Sequence, residues 1–163
     1  MEGLHLYALH KDIDSLREKP YNTLMMEIER EKRQCKERSK EVRQKILDGT
    51  YSSRVVQGRQ NKHIQGTKEF EQKREQIKKA DSRNEPAILE VDAQTLVNRY
   101  KGSGSIELRR GQTYPRETIT IDEIVGKTWL RETQRYMDVN AFQIQYSSTG
   151  VHVFPVYSKK GGR

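Results

Sequence analysis

Two histidines in the C-terminal two-thirds of the chain are the residues best suited to acid–base chemistry. His63 stands in a dense polar segment, residues 57–67, close in sequence to Arg59 and Lys62. His152 follows Ser147 after a short turn, in a segment that returns as a predicted strand. An imidazole titrates near neutral pH, so two of them can act as general base and general acid. Neighbouring cations can stabilise the negative charge that develops around a phosphorus atom.

This combination of residues suits RNA cleavage without a metal ion. One group would deprotonate a ribose 2′-hydroxyl, and another would protonate the leaving 5′-oxygen, which leaves a 2′,3′-cyclic phosphate. DNA lacks the 2′-hydroxyl and would not be cut. Two simpler interpretations stay open: a loop histidine at position 63 that bonds to backbone, and a half-buried strand histidine at position 152. The sequence contains no glycine-rich phosphate loop, paired-carboxylate motif or metal-ligand cluster, so we expect no cofactor.

The elements around the two histidines change from helices to strands along the chain. The apolar spacing predicts a helix over residues 68–80 and another over 93–100, the second capped by Asp92. A further set of segments has strand character: residues 88–91, 106–108, 118–121, 124–130, 142–146 and 151–157. Helices followed by antiparallel strands indicate an α+β domain.

The N-terminal region is predicted to be a charged helical arm. A short helix over residues 4–18 is interrupted by Pro20, and a second helix runs from residue 22 or 23 to about Leu47. The second helix has one narrow apolar stripe with a seven-residue repeat: Ile28, Cys35 and Val42. One stripe is too narrow for a strong coiled coil. The arm therefore either attaches the protein to a partner or is a solvated helix along its own domain.

Charge and composition limit the class of protein. The 163 residues include 31 Lys and Arg against 23 Asp and Glu, a net charge of +8, and residues 57–163 hold 19 of the basic and 13 of the acidic side chains. This excess favours a polyanionic partner such as nucleic acid, although net charge also keeps proteins soluble. No apolar run is long enough for a membrane helix, and we identify no secretion signal. Cys35, the single cysteine, can form no internal disulfide.

Two motifs carry a resemblance to a known family. The run R-Q-N-K-H-I-Q-G-T at residues 59–67 resembles the opening signature of the polymorphic toxin type 50 family, approximately R-Q-N-K-H-I-x-G-T. Residues 146–155, Y-S-S-T-G-V-H-V-F-P, resemble its closing Y-S-x-x-G-x-H-x-x-P. Three stretches between them match in kind and order: residues 88–104, 116–117 and 124–126. The resemblance covers about residues 57–157, with departures at 148–149, where relatives tend to have a lysine, and at 131–140.

The resemblance implies an RNase domain of the barnase–EndoU–colicin–RelE type, with helices packed on a four-stranded antiparallel sheet. Family members occur in bacterial polymorphic toxins and in phage proteins. Carried over onto this chain, the acid–base candidates are His63 and His152. Three further residues are implied to position phosphate or ribose in catalysis: Thr67, Tyr146 and Ser147. The RNA- or phosphate-binding candidates are Arg59, Lys62, Arg116 and Lys127, with Glu117 as an additional site residue.

These observations together predict four segments and one leading function. The segments are a helical arm at 1–50, a linker at 51–58, an RNase-like domain at 59–157 and a basic mobile tail at 158–163. We expect a metal-independent, toxin-type endoribonuclease that acts on RNA in the bacterial host cytoplasm or is associated with a virion. An immunity protein, or a phage or host complex, would be its protein partner, with no membrane involved. The alternatives are a non-catalytic phage protein, either structural or an inhibitor of a host nucleoprotein, and a plain nucleic-acid-binding module.

Overall fold

The computed structural model describes residues 20–109 and 111–158, and the chain divides into two units, residues 1–38 and 39–163. The predicted helix over residues 4–18 and residues 159–163 of the predicted tail lie outside the described residues. In the first unit, residues 21–38 belong to helix α1 (Tyr21–Leu47), and most of their side chains, including that of Cys35, are exposed. The carbonyl of Pro20 accepts from the first turn, so the helix begins slightly earlier than predicted.

The last turns of α1 belong to the second unit. Val42 and Ile46 are buried in the same apolar cluster as the sheet residues. Between them, Arg43 donates to the carbonyl oxygens of Gly102 and Gly104, the second at 3.0 Å from Nη2. The helix ends at Leu47, as predicted, just before a glycine with a positive φ.

Three shorter helices follow in the second unit: α2 (Gln57–Gln60), α3 (Lys68–Ala80) and α4 (Ala93–Tyr100). The predictions for 68–80 and 93–100 are confirmed, and both helices have side-chain caps. Thr67 accepts from the Phe70 N–H at 3.2 Å and Asp92 accepts from the Thr95 N–H at 2.7 Å. The polar segment at 57–67 begins with α2 and a 3-10 turn at Asn61–His63, so the interpretation of His63 as a loop residue is wrong.

The strands form two antiparallel sheets. The first has the order β2 (Ser105–Glu107), β3 (Arg116–Thr120), β6 (Ala141–Ser147) and β7 (Gly150–Val156). The second has the order β1 (Ile88–Leu89), β4 (Gly126–Leu130) and β5 (Arg135–Val139). The α+β class is confirmed, but a single four-stranded sheet is not the whole architecture. Strand β5 was not predicted, because two of its five residues, Arg135 and Asp138, are charged. In the structure both side chains are exposed, and Gln134 before the strand has a φ of 51°.

Alternation along the strands gives the four-stranded sheet two different faces. One face packs into the core, where its largest fully buried residues are Phe142, Ile144, Glu117, Val151 and Val153. We call the other the outer face. Its half-exposed to exposed residues include Ser105, Glu107, Arg116, Thr118, Thr120, Gln143, Gln145, Ser147, His152 and Phe154. His152 therefore lies on the outer face, whereas Tyr146 points into the core.

Candidate active site

A side-chain amide attaches the His63 segment to the edge of β7. Gln60 Nε2 donates to the carbonyl of Val153 at 2.8 Å, and Gln60 Oε1 accepts from the Val153 N–H at 2.8 Å. Before Gln60 in the chain, Val55 pairs with Val151 in a parallel β-bridge. Residues 54–56, within the segment 51–58 predicted to be a linker, thus pair with this edge. The attachment brings His63, three residues after Gln60, over the outer face.

Three rings meet where this segment crosses the outer face. The ring centroid of His63 lies 5.1 Å from that of Phe154 and 5.9 Å from that of His152, with interplanar angles of 18° and 17°. The His152 and Phe154 rings are 5.6 Å apart. The two motif histidines, 89 positions apart in sequence, are therefore neighbours in a stack of nearly parallel rings.

His63 is held as a neutral imidazole. Its side chain is 5% exposed, its Nδ1 lies 3.4 Å from the carbonyl oxygen of Ala87, and its Nε2 lies 3.2 Å from Lys73 Nζ. The carbonyl requires a proton on Nδ1, which leaves Nε2 to accept from the ammonium. Burial, followed by the charge of Lys73, lowers the pKa of His63 to about 3.

His152 is also neutral at pH 7, for a related reason. Burial, followed by the charge of Arg59 and then of Lys73, lowers its pKa to about 4. Its Nδ1 is buried and has no hydrogen-bond partner among the residues that the structure describes. Neither ring is therefore an imidazolium that could act as a general acid at pH 7, and the Nε2 of His63 is already engaged by Lys73.

Four cations surround the rings. Arg59 Nη1 donates to Ser147 Oγ at 2.7 Å, and Ser147 donates in turn to the Gly150 carbonyl at 2.7 Å, so the hairpin turn orients the guanidinium. Arg116 lies on the same cross-strand row as His152, with Gln145 between them. In the described part of the chain, none of the four makes an ion pair with a carboxylate: Arg59, Lys62, Lys73 and Arg116. Positive charge without a counter-ion is what binds phosphate groups.

Lys73 is the site residue that sequence reasoning missed. It lies in α3 at the helical spacing of Phe70 and Ile77, on the face that is buried or half-buried. Burial, followed by the charge of Lys62, lowers the pKa of the Lys73 ammonium. The position of Lys73 on the apolar stripe of α3 could have indicated a buried lysine. It was overlooked because most of the neighbouring residues in the helix are also charged.

Several predicted site residues lie apart from the ring stack. On the core face, Glu117 is 0% exposed and accepts from the N–H groups of Gly102 and Gly104 at 3.0 and 2.8 Å, and from the Tyr146 hydroxyl at 3.1 Å. Burial, together with the Glu117 charge, raises the pKa of Tyr146. Thr67 uses its hydroxyl on the backbone at the start of α3, where it donates to Asn61 and Ile64.

Lys127 also lies apart from the ring stack, on β4 of the three-stranded sheet. Its Nζ is 2.7 Å from a carboxylate oxygen of Glu90, and this partner raises its pKa. Lys127 is thus an ion-paired cation, in contrast to the four around the rings. The structure brings together His63, His152, Arg59, Lys62, Arg116 and Ser147, and it does not add Lys127, Thr67, Tyr146 or Glu117 to their contacts.

The charge of the site indicates what kind of ligand it attracts, and a comparison with known families identifies the family of the protein. Unpaired cations gathered on one face of an α+β domain give that face a positive potential, which attracts anions. The family model described as bacterial toxin 50 matches residues 55–155, most of the chain, and the chain belongs to that toxin family. The predicted family is thereby confirmed. A search of curated proteins found no match.

No helix in residues 20–109 and 111–158 combines the length and the apolar composition that a bilayer crossing requires. Within the same residues, no three His, Cys, Asp or Glu side chains converge as metal ligands would.

Proposed function

We propose that this toxin-family domain is a metal-independent endoribonuclease whose reaction centre is the stacked pair of His63 and His152. The observation that carries the proposal is the placement of these two neutral imidazoles, 5.9 Å apart, within a group of unpaired cations. The sequence motifs that identify the family contain both histidines.

His152 is the general base in this proposal. It is the more exposed of the two imidazoles, and it is unprotonated at pH 7, as a general base must be. It removes the proton from a ribose 2′-hydroxyl as that oxygen attacks the adjacent phosphorus. The new 2′-O–P bond forms while the P–5′-O bond breaks, and the products are a 2′,3′-cyclic phosphate and a 5′-hydroxyl.

The surrounding cations bind the phosphate and stabilise its developing charge. Arg59 is held by Ser147, Arg116 lies on the row of His152, and both place positive charge near that ring. Because the Arg59 guanidinium is already oriented before substrate binds, it needs little reorganisation as charge accumulates on the phosphate oxygens. Lys62 adds positive charge near both rings.

The proton for the leaving group comes from the Lys73–His63 pair. Both histidines are neutral at pH 7, so the proton that the pair shares resides on the Lys73 ammonium, 3.2 Å from His63 Nε2. The lowered pKa of this ammonium makes it a better donor than an ordinary lysine. Lys73 therefore protonates the 5′-oxygen, and His63 orients it.

Cleavage of RNA in EDTA tests this proposal. Wild type should convert total RNA and transfer RNA to fragments that end in 2′,3′-cyclic phosphate. His152→Ala and Lys73→Met should each lower the rate by about 10²- to 10⁴-fold, the usual contribution of a general base or acid. Lys127→Met is the matched control, because it removes one lysine charge at a distance from the ring stack and should keep the rate. No cleavage by wild type, or equal cleavage by His152→Ala, would refute the mechanism.

The burial of His63 favours a second candidate, which binds RNA without cutting it. A side chain that is 5% exposed can support a cationic surface without touching substrate. This candidate predicts RNA binding that weakens steeply with salt and leaves the RNA intact, so the same incubation distinguishes the two.

The proposal also covers where the enzyme acts and which protein would inhibit it. An RNase of a toxin family acts on RNA in the cytoplasm of a bacterial cell, and an immunity protein with an acidic surface would neutralise it in the producing cell by covering the cations. The alternative of a phage structural or host-inhibiting protein predicts recovery of a protein partner that depends on the arm, residues 1–50.

A further inference from the structure

The outer face holds a second row of side chains beside the row of His152. Strand register aligns Ser105, Thr118, Gln143 and Phe154 across four strands, one step from the row that contains Arg116, Gln145 and His152. Because same-face positions on a strand repeat every two residues, about 6–7 Å separates the two rows. A nucleotide whose phosphate lies at the first row would place its base at the second.

The second row contains a fixed amide beside an aromatic ring. Gln143 Nε2 donates to Thr118 Oγ1 at 3.2 Å, which orients the amide along the sheet. Among the described residues, none donates to Gln143 Oε1. This oxygen and the second N–H of the amide can therefore bond to a ligand. Phe154 is the cross-strand partner of Gln143 and is half-buried.

We infer that Gln143, oriented by Thr118 and flanked by Phe154, forms a nucleobase subsite matched to adenine. A glutamine amide that presents one acceptor and one donor side by side pairs with the N6 and N7 edge of adenine, whereas guanine offers two acceptors on that edge. This inference rests on the proposed action on RNA and assigns that action a sequence preference.

Binding of RNA analogues that cannot be cut tests the subsite separately from catalysis. Fluorescence anisotropy with 2′-fluoro octanucleotides of adenine, cytosine or uracil uses probes that lack the 2′-nucleophile. Wild type should bind the adenine octamer at least about fivefold more tightly than the uracil octamer, the lower end of a bidentate base contact. Gln143→Ala should abolish this preference and Thr118→Val should weaken it. The control Thr120→Ala, at the exposed end of β3, should retain it.

The outcomes separate the two proposals. An adenine preference that depends on Gln143, found together with no cleavage of ordinary RNA, would support the subsite and refute the catalytic proposal. Equal binding of the three octamers by wild type, or an unchanged preference in Gln143→Ala of normal circular dichroism, would overturn the subsite whether or not RNA is cut.

Discussion

The buried neutral state of His63 should make the fold sensitive to acid in a way that a single substitution removes. In the folded protein the pKa of His63 is about 3, whereas the ordinary value of 6.5 applies in the unfolded chain. As the pH falls below 6.5, His63 becomes protonated in the unfolded state but stays neutral in the folded state. The free energy of unfolding therefore decreases as the pH falls. The loss is about 1.4 kcal/mol per pH unit, or about 2 kcal/mol between pH 6.5 and pH 5.

Urea unfolding followed by the fluorescence of Trp129, the single tryptophan, measures this effect. We expect the free energy of unfolding of wild type to fall more steeply between pH 7.5 and 5 than that of His63→Gln, by about 2 kcal/mol over the interval. The groups that face His63, namely His152, Lys73 and Lys62, are present in both proteins, as are all carboxylates, so their titration is largely common to both. Parallel pH dependences for wild type and His63→Gln would refute the assignment of a buried, neutral imidazole.

Three substitutions test the structural supports of the site. Glu117→Gln replaces one of two oxygens that accept from backbone N–H groups and should lower the free energy of unfolding by about 1–3 kcal/mol; an unchanged urea midpoint would contradict the buried network. Gly104→Ala puts a Cβ 2.4 Å from the Thr118 carbonyl oxygen and should cost at least about 1–3 kcal/mol, whereas Gly58→Ala, with open space around it, is the tolerated control in the same assay. Asp92→Ala removes the cap of α4 and should cost about 1 kcal/mol in thermal unfolding, and Asp92→Asn should recover most of it.

Local signals in the sequence were enough to predict α3 and α4. The start of α4 follows from its cap, Asp92, and both helices follow from apolar spacing, whereas the capping role of Thr67 at α3 was not predicted. Such signals depend on neighbours in sequence, and tertiary contacts do not override them here. The 57–63 segment was different, since its helical turns are stabilised by the edge of β7, some 90 residues later.

The second sheet depends on long-range pairing that no local pattern shows. Strand β5 has charged, exposed side chains, and it becomes a strand because β4 pairs with it from Gly126 to Leu130. An edge strand with one polar side reads as a loop when it is considered alone. The orientation of Tyr146 is different: alternation in the sequence places Tyr146 with Ile144 on the core face, although the family motif, which only names residue types, does not reveal this.

The two family motifs predicted part of the site. Both histidines and Arg59 lie within the two matching motifs, and the structure brings all three together. Lys73 lies outside the motifs in a helix rich in charge, so only its position on the buried stripe distinguishes it. Which cations have a carboxylate partner, as Lys127 does, is a property of the folded surface that charge counting cannot give.

The hydrogen bonds of Arg43 bear on how this domain can be exchanged between proteins. The family match begins at residue 55, yet the packed unit begins at residue 39, and Arg43 bonds the glycine loop whose amides hold Glu117. A gene fusion that joined a new leader at residue 55 would leave two loop carbonyls without their donor and uncover the core beside Val42 and Ile46. The unit that packs around one core is therefore longer than the family match, and a domain transplanted without residues 39–54 should lose stability.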